Sequence, residues 1–150
     1  MVNIASKTHS YMIYLTRRER FSAAHRMFRQ DWSDEKNLEV FGKCSNPNWH
    51  GHNYELFVTV KGELTEGSGF VMNMNTLKQI INENIIQKID HKNINLEVGF
   101  MRGKISTTEN LTIAIWDQLK PFVEKEGAKL HCVKIDETEN NSIEYYGEKK

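Results

Sequence analysis

The stretch that decides the fold covers residues 44–60 and reads CSNPNWHGHNYELFVTV. Its second half places apolar or aromatic side chains at every second position, a period that predicts a β-strand over residues 52–61. Residues two apart on a strand point to the same face, so the rings of His50 and His52 can converge on one metal ion. Gly51 between them leaves room at the backbone.

A turn that begins with a cysteine precedes the two histidines. Residues 45–48 read SNPN, which is typical of a turn because Pro fixes φ and Asn tolerates unusual dihedral angles. Cys44 therefore lies on a loop beside the histidines and not on their strand. The residues alone leave its role open, since a cysteine in this place is a small buried hydrophobe, a reactive thiol or a metal ligand.

A third histidine strengthens the metal interpretation. His25 ends the sequence FSAAH at residues 21–25, in an earlier segment with the composition of a strand. Three histidines from two adjacent strands match a catalytic zinc site, which keeps its fourth coordination position open. Two alternatives stay open: a closed site with Cys44 as the fourth ligand, and partly exposed histidines that bind no metal.

The composition limits the classes of partner and compartment. Lys plus Arg and Asp plus Glu both number 20, so no global field attracts nucleic acid or a membrane surface. We expect a single domain over residues 1–150, with residues 1–10 as a loose N-terminal segment and neither a membrane span nor a signal sequence. Two cysteines in a chain of this kind are expected to be free thiols in the cytoplasm.

The remaining patterns predict the element order β-β-α-α-β-β. Residues 11–24 are rich in β-forming residues, and residues 26–43 are predicted to be a long loop of the kind that serves a site. Apolar residues at helical spacing indicate two helices, and alternation indicates two final strands. These are a helix capped by Asn73 or Asn75 that ends near residues 90–91, a helix with a capping-box pattern at residues 106–109 that has Pro121 near its end and Gly127 beyond it as a stop signal, and strands at residues 131–137 and 143–145.

Two further positions place acidic groups where they need partners. Asp90 and His91 are adjacent at a helix end, either as ordinary polar residues or as a pair in which the carboxylate orients the imidazole. Glu137 shares strand parity with Val133 and Ile135, which places a carboxylate on the buried face. Because a buried carboxylate is costly without donors, either the strand frays there or a ligand with two or more N–H groups pairs with it.

Six motifs, in order along the chain, resemble the 6-pyruvoyl-tetrahydropterin synthase family. They are FSAAH at residues 21–25, CSNPNWHGHNY at 44–54, FVMN at 70–73, IDHKN at 89–93, STTENL at 106–111 and Glu137-Thr138. The resemblance implies the α+β tunnelling fold, with a four-stranded antiparallel sheet and two helices on one face. It also implies that three subunits form a barrel and that two trimers form a homohexamer with active sites at subunit interfaces.

The resemblance implies a zinc-dependent lyase of tetrahydrobiopterin biosynthesis. Its substrate is 7,8-dihydroneopterin triphosphate, which is converted to 6-pyruvoyl-tetrahydropterin with loss of inorganic triphosphate. The family assigns the zinc to His25, His50 and His52. Cys44 corresponds to the catalytic cysteine, which acts as a general base in its thiolate form.

The same resemblance assigns the remaining site residues. Asp90 and His91 correspond to a second proton-transfer pair. Glu137 corresponds to the carboxylate that anchors the pterin ring through its N–H groups, which agrees with the strand parity. Thr107 and Thr108 correspond to positions that line the pterin pocket.

Two other functions stay open beside the lyase. The first is the related 6-carboxy-tetrahydropterin synthase of the deazapurine (queuosine) pathway, although the five residues between Cys44 and His50 favour the pyruvoyl branch. The second is a non-catalytic zinc-binding or scaffold protein, which would not need Cys44 and Glu137 together with the acidic pair. Two positions depart from the family pattern: Trp49, where a small residue is common, and Asp136, where an aromatic residue is common.

Overall fold

The fold is built on one sheet whose strands come from both ends of the chain. The structure, a computed structural model, describes residues 10–150, so nearly all of the expected loose segment over residues 1–10 lies outside it. The strands are β1 (Met12–His25), β2 (His50–Glu63), β3 (Lys92–Asn93), β4 (Lys129–Thr138) and β5 (Asn141–Tyr145). Their order across the sheet is β3-β1-β2-β4-β5.

The four long strands pair antiparallel, as predicted, and a fifth strand was not expected. β3 has only two residues and pairs parallel with β1 at Ala23 and Ala24. A strand of this length carries no period in the sequence, so pattern analysis could not find it. Its position follows the end of the first helical region and brings the segment after Asp90 against the edge of β1.

The register of β1 and β2 aligns the histidine motifs. The two strands pair over their full length, with His25 opposite His50 and Ala23 opposite His52. This register also puts Phe21 opposite Tyr54 on the buried face. Because a shift by one residue would turn every side chain to the other face, burial of the apolar set fixes the register.

The helices are α1 (Asp34–Phe41), α2 (Met74–Ile81), α3 (Gln87–Ile89), α4 (Ile94–Glu97) and α5 (Thr108–Lys125). The two predicted helices cover one face of the sheet, because their apolar side chains share one buried core with alternate residues of β1, β2 and β4. None of the helices among residues 10–150 combines the length and the apolarity needed to cross a membrane.

The first predicted helix is capped by Asn73, whose side chain accepts a hydrogen bond of 2.8 Å from the Asn75 backbone N–H. It continues from α2 through a π-helical segment, Asn82–Ile86, into α3 and ends at Asp90. The second predicted helix, α5, starts one residue later than the capping-box pattern suggests, because Thr107 and not Ser106 is the N-cap.

One sequence prediction about helices was confirmed and another was wrong. Pro121 lies near the end of α5, as predicted, and the helix continues to Lys125 and stops before Gly127, a residue with φ of 88°. The segment over residues 26–43 is not all loop, because it contains α1. The signal for α1 was present in the Ser33 N-cap, whose hydroxyl accepts a hydrogen bond of 3.1 Å from Lys36 N–H, and in the acidic first turn.

Candidate metal centre and active site

Three histidines converge at one end of the β1–β2 pair. One nitrogen each from His25, His50 and His52 lies within 4.8 Å of the others. The His25 ring centroid is 4.4 Å from that of His50 and 5.2 Å from that of His52. His25 is 1% exposed, and the other two rings are half-buried. Imidazole nitrogens grouped at this distance are a donor set that suits zinc.

Hydrogen bonding orients His25 for metal binding. Its Nδ1 donates to the Ser106 carbonyl at 2.7 Å, which leaves the Nε2 lone pair free. Within the described residues, Nε2 of His25 and both ring nitrogens of His50 are buried without a hydrogen-bond partner. A metal ion bound by one nitrogen of each ring would satisfy groups that are otherwise costly to bury.

The electrostatics of the cluster favour neutral imidazoles. Burial lowers the pKa of His25, and the neighbouring His50 and His52 lower it further, against the opposing effects of the Ser106 carbonyl and Glu137. Burial and the nearby His52 also lower the pKa of His50. Because metal ions bind the neutral ring, both shifts favour metal binding near pH 7.

Glu137 points at the histidines, on a strand that does not fray. Its Oε1 lies 3.9 Å from His25 Nε2 and 3.8 Å from His52 Nε2. The buried Thr108 hydroxyl donates to the same oxygen at 2.6 Å. The register of β4 against β5 shifts between Asp136 and Thr138, so Glu137 is the extra residue of a bulge. A cavity of about 650 Å³ borders this carboxylate and His52.

Cys44 is held beside the end of β1. It lies in a 3₁₀ turn, Gly42–Ser45, with a half-buried free thiol. Its carbonyl accepts a hydrogen bond of 2.8 Å from Met27 N–H, and Arg26 Nε donates to the Ser45 carbonyl at 2.7 Å. Among residues 10–150, the group with metal-binding distances contains the three histidines without Cys44. This arrangement favours an open metal site over a closed one.

Asp90 and His91 form a pair at the outer edge of β1. His91 Nδ1 is 3.0 Å from Asp90 Oδ2, and the Ser22 backbone N–H donates to Asp90 Oδ1 at 2.9 Å. The bond from Ser22 and the proximity of His91 hold the pKa of Asp90 below its usual value. The His91 side chain is 81% exposed. Within the described residues, no hydrogen bond or ion pair joins this pair to Cys44.

Comparison with known proteins identifies the family. The sequence model of 6-pyruvoyl tetrahydropterin synthase matches residues 14–148. The chain belongs to this family. It is 46% identical to the Homo sapiens 6-pyruvoyl tetrahydrobiopterin synthase over 134 residues, which covers 89% of this chain and 91% of that protein. The Dictyostelium discoideum protein of the same name is 47% identical over 139 residues, covering 93% and 99%.

A solved structure and a more distant relative complete the comparison. The Caenorhabditis elegans 6-pyruvoyl tetrahydropterin synthase superposes with a TM-score of 0.85 at 36% identity, over 92% of this chain and 97% of that one. The Bacillus subtilis 6-carboxy-5,6,7,8-tetrahydropterin synthase is 30% identical over 130 residues, 85% of this chain and 79% of that protein. The sequence is therefore more similar to the pyruvoyl enzymes than to this carboxy relative.

Two threonines expected to line the pterin pocket of the synthase family have different contacts. Thr108 holds Glu137, as described above, while Thr107 is the N-cap of α5 and accepts a hydrogen bond of 3.2 Å from Asn110 N–H. Trp49 has a φ of 66°, a left-handed conformation that a bulky residue adopts only with strain. This explains why a small residue at position 49 suits the fold better than tryptophan.

Sequence reasoning did not single out Tyr54 as a site residue. It lies two residues after His52 on the same face of β2, and it is 1% exposed. Its ring meets those of His25 and His52 edge-on, at 6.2 and 5.4 Å, and stacks on Phe21 at 4.9 Å. Burial and the charges of Glu137 and Cys44 raise the pKa of its phenol. The signal in the sequence was its parity with the histidines.

Proposed function

We propose that this chain is a zinc-dependent lyase that converts 7,8-dihydroneopterin triphosphate to 6-pyruvoyl-tetrahydropterin and triphosphate in the cytoplasm. One observation carries the proposal: three histidines converge beside a carboxylate that belongs to another strand and is held by Thr108. The family membership of the chain and the names of its relatives agree with this function. The family model covers residues 14–148, which agrees with one domain that carries the whole activity.

His25, His50 and His52 hold the zinc ion. When bound, zinc supplies a Lewis acid that polarises the side-chain oxygens of the substrate and acidifies the adjacent C–H. The chain contributes a fixed ligand set, because Ser106 sets the tautomer of His25 and the strand register sets the distance between the rings.

Glu137 binds the pterin ring. A carboxylate with one oxygen already bonded to Thr108 keeps acceptor capacity for the N–H groups of a pterin. The cavity beside Glu137 and His52 gives the ring a place next to the zinc ligands. Thr107 contributes indirectly, because its cap fixes the start of the helix that carries Thr108.

Cys44 and the Asp90–His91 pair transfer the protons. Cys44, as thiolate, removes a proton from a side-chain carbon of the substrate, and the Asp90–His91 pair provides the second proton transfer. Asp90 orients the imidazole by accepting from Nδ1, while the Ser22 N–H keeps the carboxylate charged. No external redox cofactor is needed, because the reaction is an elimination with internal redox.

The active enzyme is a homohexamer, a dimer of trimers in which sheets join edge to edge into a barrel. β5 ends one side of the sheet, and among the described residues no strand pairs with the outer edge of residues 12–22 on the other side. Unpaired strand edges of this length favour pairing with another subunit. The exposed Asp90–His91 pair lies at that edge, so we place the active sites at subunit interfaces, with Cys44 and His91 from different subunits.

Product analysis tests the function. The zinc-loaded protein incubated with 7,8-dihydroneopterin triphosphate should release inorganic triphosphate and yield 6-pyruvoyl-tetrahydropterin, measured by chromatography and mass spectrometry. A 6-carboxy-tetrahydropterin product would assign the chain to the sister activity, and the absence of turnover would leave a zinc-binding protein.

Cys44→Ala is the matched variant for this assay. Loss of a general base should lower the rate by about 10²–10⁴-fold while zinc and pterin binding persist. The same substitution at the buried Cys132 on β4 serves as the control and should keep its activity. If Cys44→Ala retains more than about a tenth of the activity, short of the low end of that range, Cys44 is not the base.

A further inference from the structure

The hydroxyl of Tyr54 is a buried polar group without a partner. It is among the side-chain atoms of the described residues that are fully buried and make no hydrogen bond. Most of the others are nitrogens of His25 and His50, so the unsatisfied groups concentrate at the metal centre. Leaving a buried polar group without a hydrogen bond is costly. We therefore expect the Tyr54 hydroxyl to have an acceptor when the metal and the substrate are bound.

The ring of Tyr54 cannot turn away to find that acceptor elsewhere. It stacks on Phe21 at 4.9 Å and meets the rings of His25 and His52 edge-on. Tyr54 belongs to a strand that pairs on both sides, with β1 and with β4. The hydroxyl is therefore held within the cluster, and its acceptor must come from the same cluster.

Few acceptors remain there once their existing bonds are counted. The free nitrogens of the histidines are the zinc ligands of the proposed function, so they do not offer Tyr54 a lone pair. Glu137 borders the same cluster, because its Oε1 lies 3.9 Å from His25 Nε2 and 3.8 Å from His52 Nε2, and the rings of both histidines meet the ring of Tyr54. Glu137 has two oxygens, and the side-chain bond that it accepts among residues 10–150 comes from Thr108 to Oε1, so it has spare acceptor capacity.

We propose that Tyr54 is a positioning residue whose hydroxyl donates a hydrogen bond to the Glu137 carboxylate when zinc and pterin are bound. Tyr54 and Thr108 then hold the carboxylate from two sides, beside the zinc ligands His25 and His52. This inference rests on the proposed function, because it assigns Tyr54 to the pterin anchor of that site. It deepens that function by adding a residue that does not itself touch the substrate.

Tyr54→Phe removes the hydroxyl and keeps the ring, so two readouts should move in different directions. In zinc-free protein the melting temperature should stay the same or rise, because the substitution removes an unpartnered buried hydroxyl. In zinc-loaded protein the dissociation constant for neopterin, measured by fluorescence titration, should increase roughly ten-fold, the effect of losing a hydrogen bond to a charged group.

A double-mutant cycle identifies the acceptor. In a Glu137→Ala background, which removes both acceptor oxygens, Tyr54→Phe should change neopterin binding by less than about two-fold, because coupled residues are not additive. In a Cys44→Ala background the roughly ten-fold effect should persist. Tyr146→Phe is the matched control, since its exposed hydroxyl bonds to Glu144 at 2.8 Å on the far edge of the sheet, and it should leave neopterin binding unchanged.

Several results would overturn the inference. Unchanged neopterin binding in Tyr54→Phe removes the positioning role, and a lowered melting temperature of the zinc-free variant assigns the hydroxyl a structural role. An effect that vanishes only in the Cys44→Ala background makes Cys44 the acceptor and contradicts the assignment. If the wild-type protein binds no neopterin, the proposed function itself fails, and this outcome is separate from the others.

Discussion

At the scale of single residues, the metal centre depends on keeping imidazoles neutral in a buried place. His25 is almost inaccessible, and its one hydrogen bond to the Ser106 carbonyl leaves the other nitrogen for a metal. Burial lowers the pKa of both His25 and His50, so in zinc-free protein these rings resist protonation while the unfolded chain does not. This difference links the metal site to stability.

The free energy of unfolding of zinc-free protein should therefore fall as the pH decreases below about 6.5, the ordinary histidine pKa. Below that pH the unfolded chain binds more protons than the folded chain. The contribution of His25 and His50 to the unfolding free energy is therefore complete above that pH, and it is lost as the pH falls toward the lowered pKa values of the folded state. Urea unfolding of chelator-treated protein at several pH values measures this slope. Asp90, whose pKa is also lowered, titrates in a more acidic range and does not contribute.

The double variant His25→Gln/His50→Gln is the control for this measurement. It lacks both shifted rings, so its unfolding free energy should depend less on pH over the same range. An equal slope in the wild type and the double variant would show that other groups cause the dependence. A flat wild-type profile would contradict the lowered pKa values directly.

Sequence spacing predicted His50 and His52 as neighbours, the strand-like segment that ends at His25 supplied the third candidate ligand, and the family resemblance supported all three. The sequence could not predict the Ser106 carbonyl as the partner of His25, because that contact joins residues far apart in the chain. The unpartnered hydroxyl of Tyr54 could not be predicted either. Strand parity gives the face on which a side chain lies, but not the hydrogen bonds of its atoms. Strand parity did place Glu137 toward the core side, and the bulge in β4 gives it its final direction.

At the scale of elements, β1 and β2 must approach closely where the histidines sit. A Cβ atom at Gly51 would lie 2.8 Å from the Ala23 carbonyl oxygen, a backbone atom that cannot yield without moving β1. Gly51 pairs with Ala24 and lies between the two histidines of β2. The glycine thus serves the strand pair and the metal site together.

Gly51→Ala should destabilise the protein by about 1–3 kcal/mol, the usual cost of overpacking. It should also weaken zinc binding, because separation of the strands moves His50 and His52 away from His25. Denaturant unfolding and chelator competition measure the two effects. Gly99→Ala is the control, since a Cβ there meets nothing within 4 Å. Equal behaviour of the two variants would rule out the close approach.

Elements with a clear period of apolar residues were predictable from the sequence, and the short elements were not. The four long strands and α5 follow from alternation and helical spacing, but β3 has two residues and α1 eight, too few for a period to stand out. Pro121 and Gly127 predicted the end of α5, which lies between them at Lys125. The N-cap Ser33 and the acidic first turn of Asp34 and Glu35 are the sequence signals that indicate α1.

At the scale of the whole molecule, the sheet leaves strand edges that another subunit can pair. Residues Met12, Ile13 and Tyr14 at the start of β1 are 40–54% exposed, although they are apolar or aromatic. Exposed apolar groups next to an unpaired edge favour association. The same edge carries the Asp90–His91 pair, so assembly and catalysis are coupled in the proposed hexamer.

Light scattering at micromolar concentration should therefore give a mass near six times the 17.5 kDa subunit. The variants Cys44→Ala and His91→Ala should each be inactive alone. Activity should return when the two are unfolded, mixed and refolded together, because a shared site needs Cys44 from one subunit and His91 from another. A monomer with full activity would refute the assembly. A hexamer that shows no complementation would place both residues of a working site in one subunit.

The zinc content of purified protein tests the central claim most directly, that three histidines hold the metal while Cys44 stays free of it. Elemental analysis should find one zinc per subunit in the wild type, in Cys44→Ala and in the control His131→Ala, whose ring packs between Tyr14 and Tyr146. His50→Ala should lose the metal, because it removes one of three ligands. Full zinc occupancy in His50→Ala, or its loss in Cys44→Ala, would contradict the account.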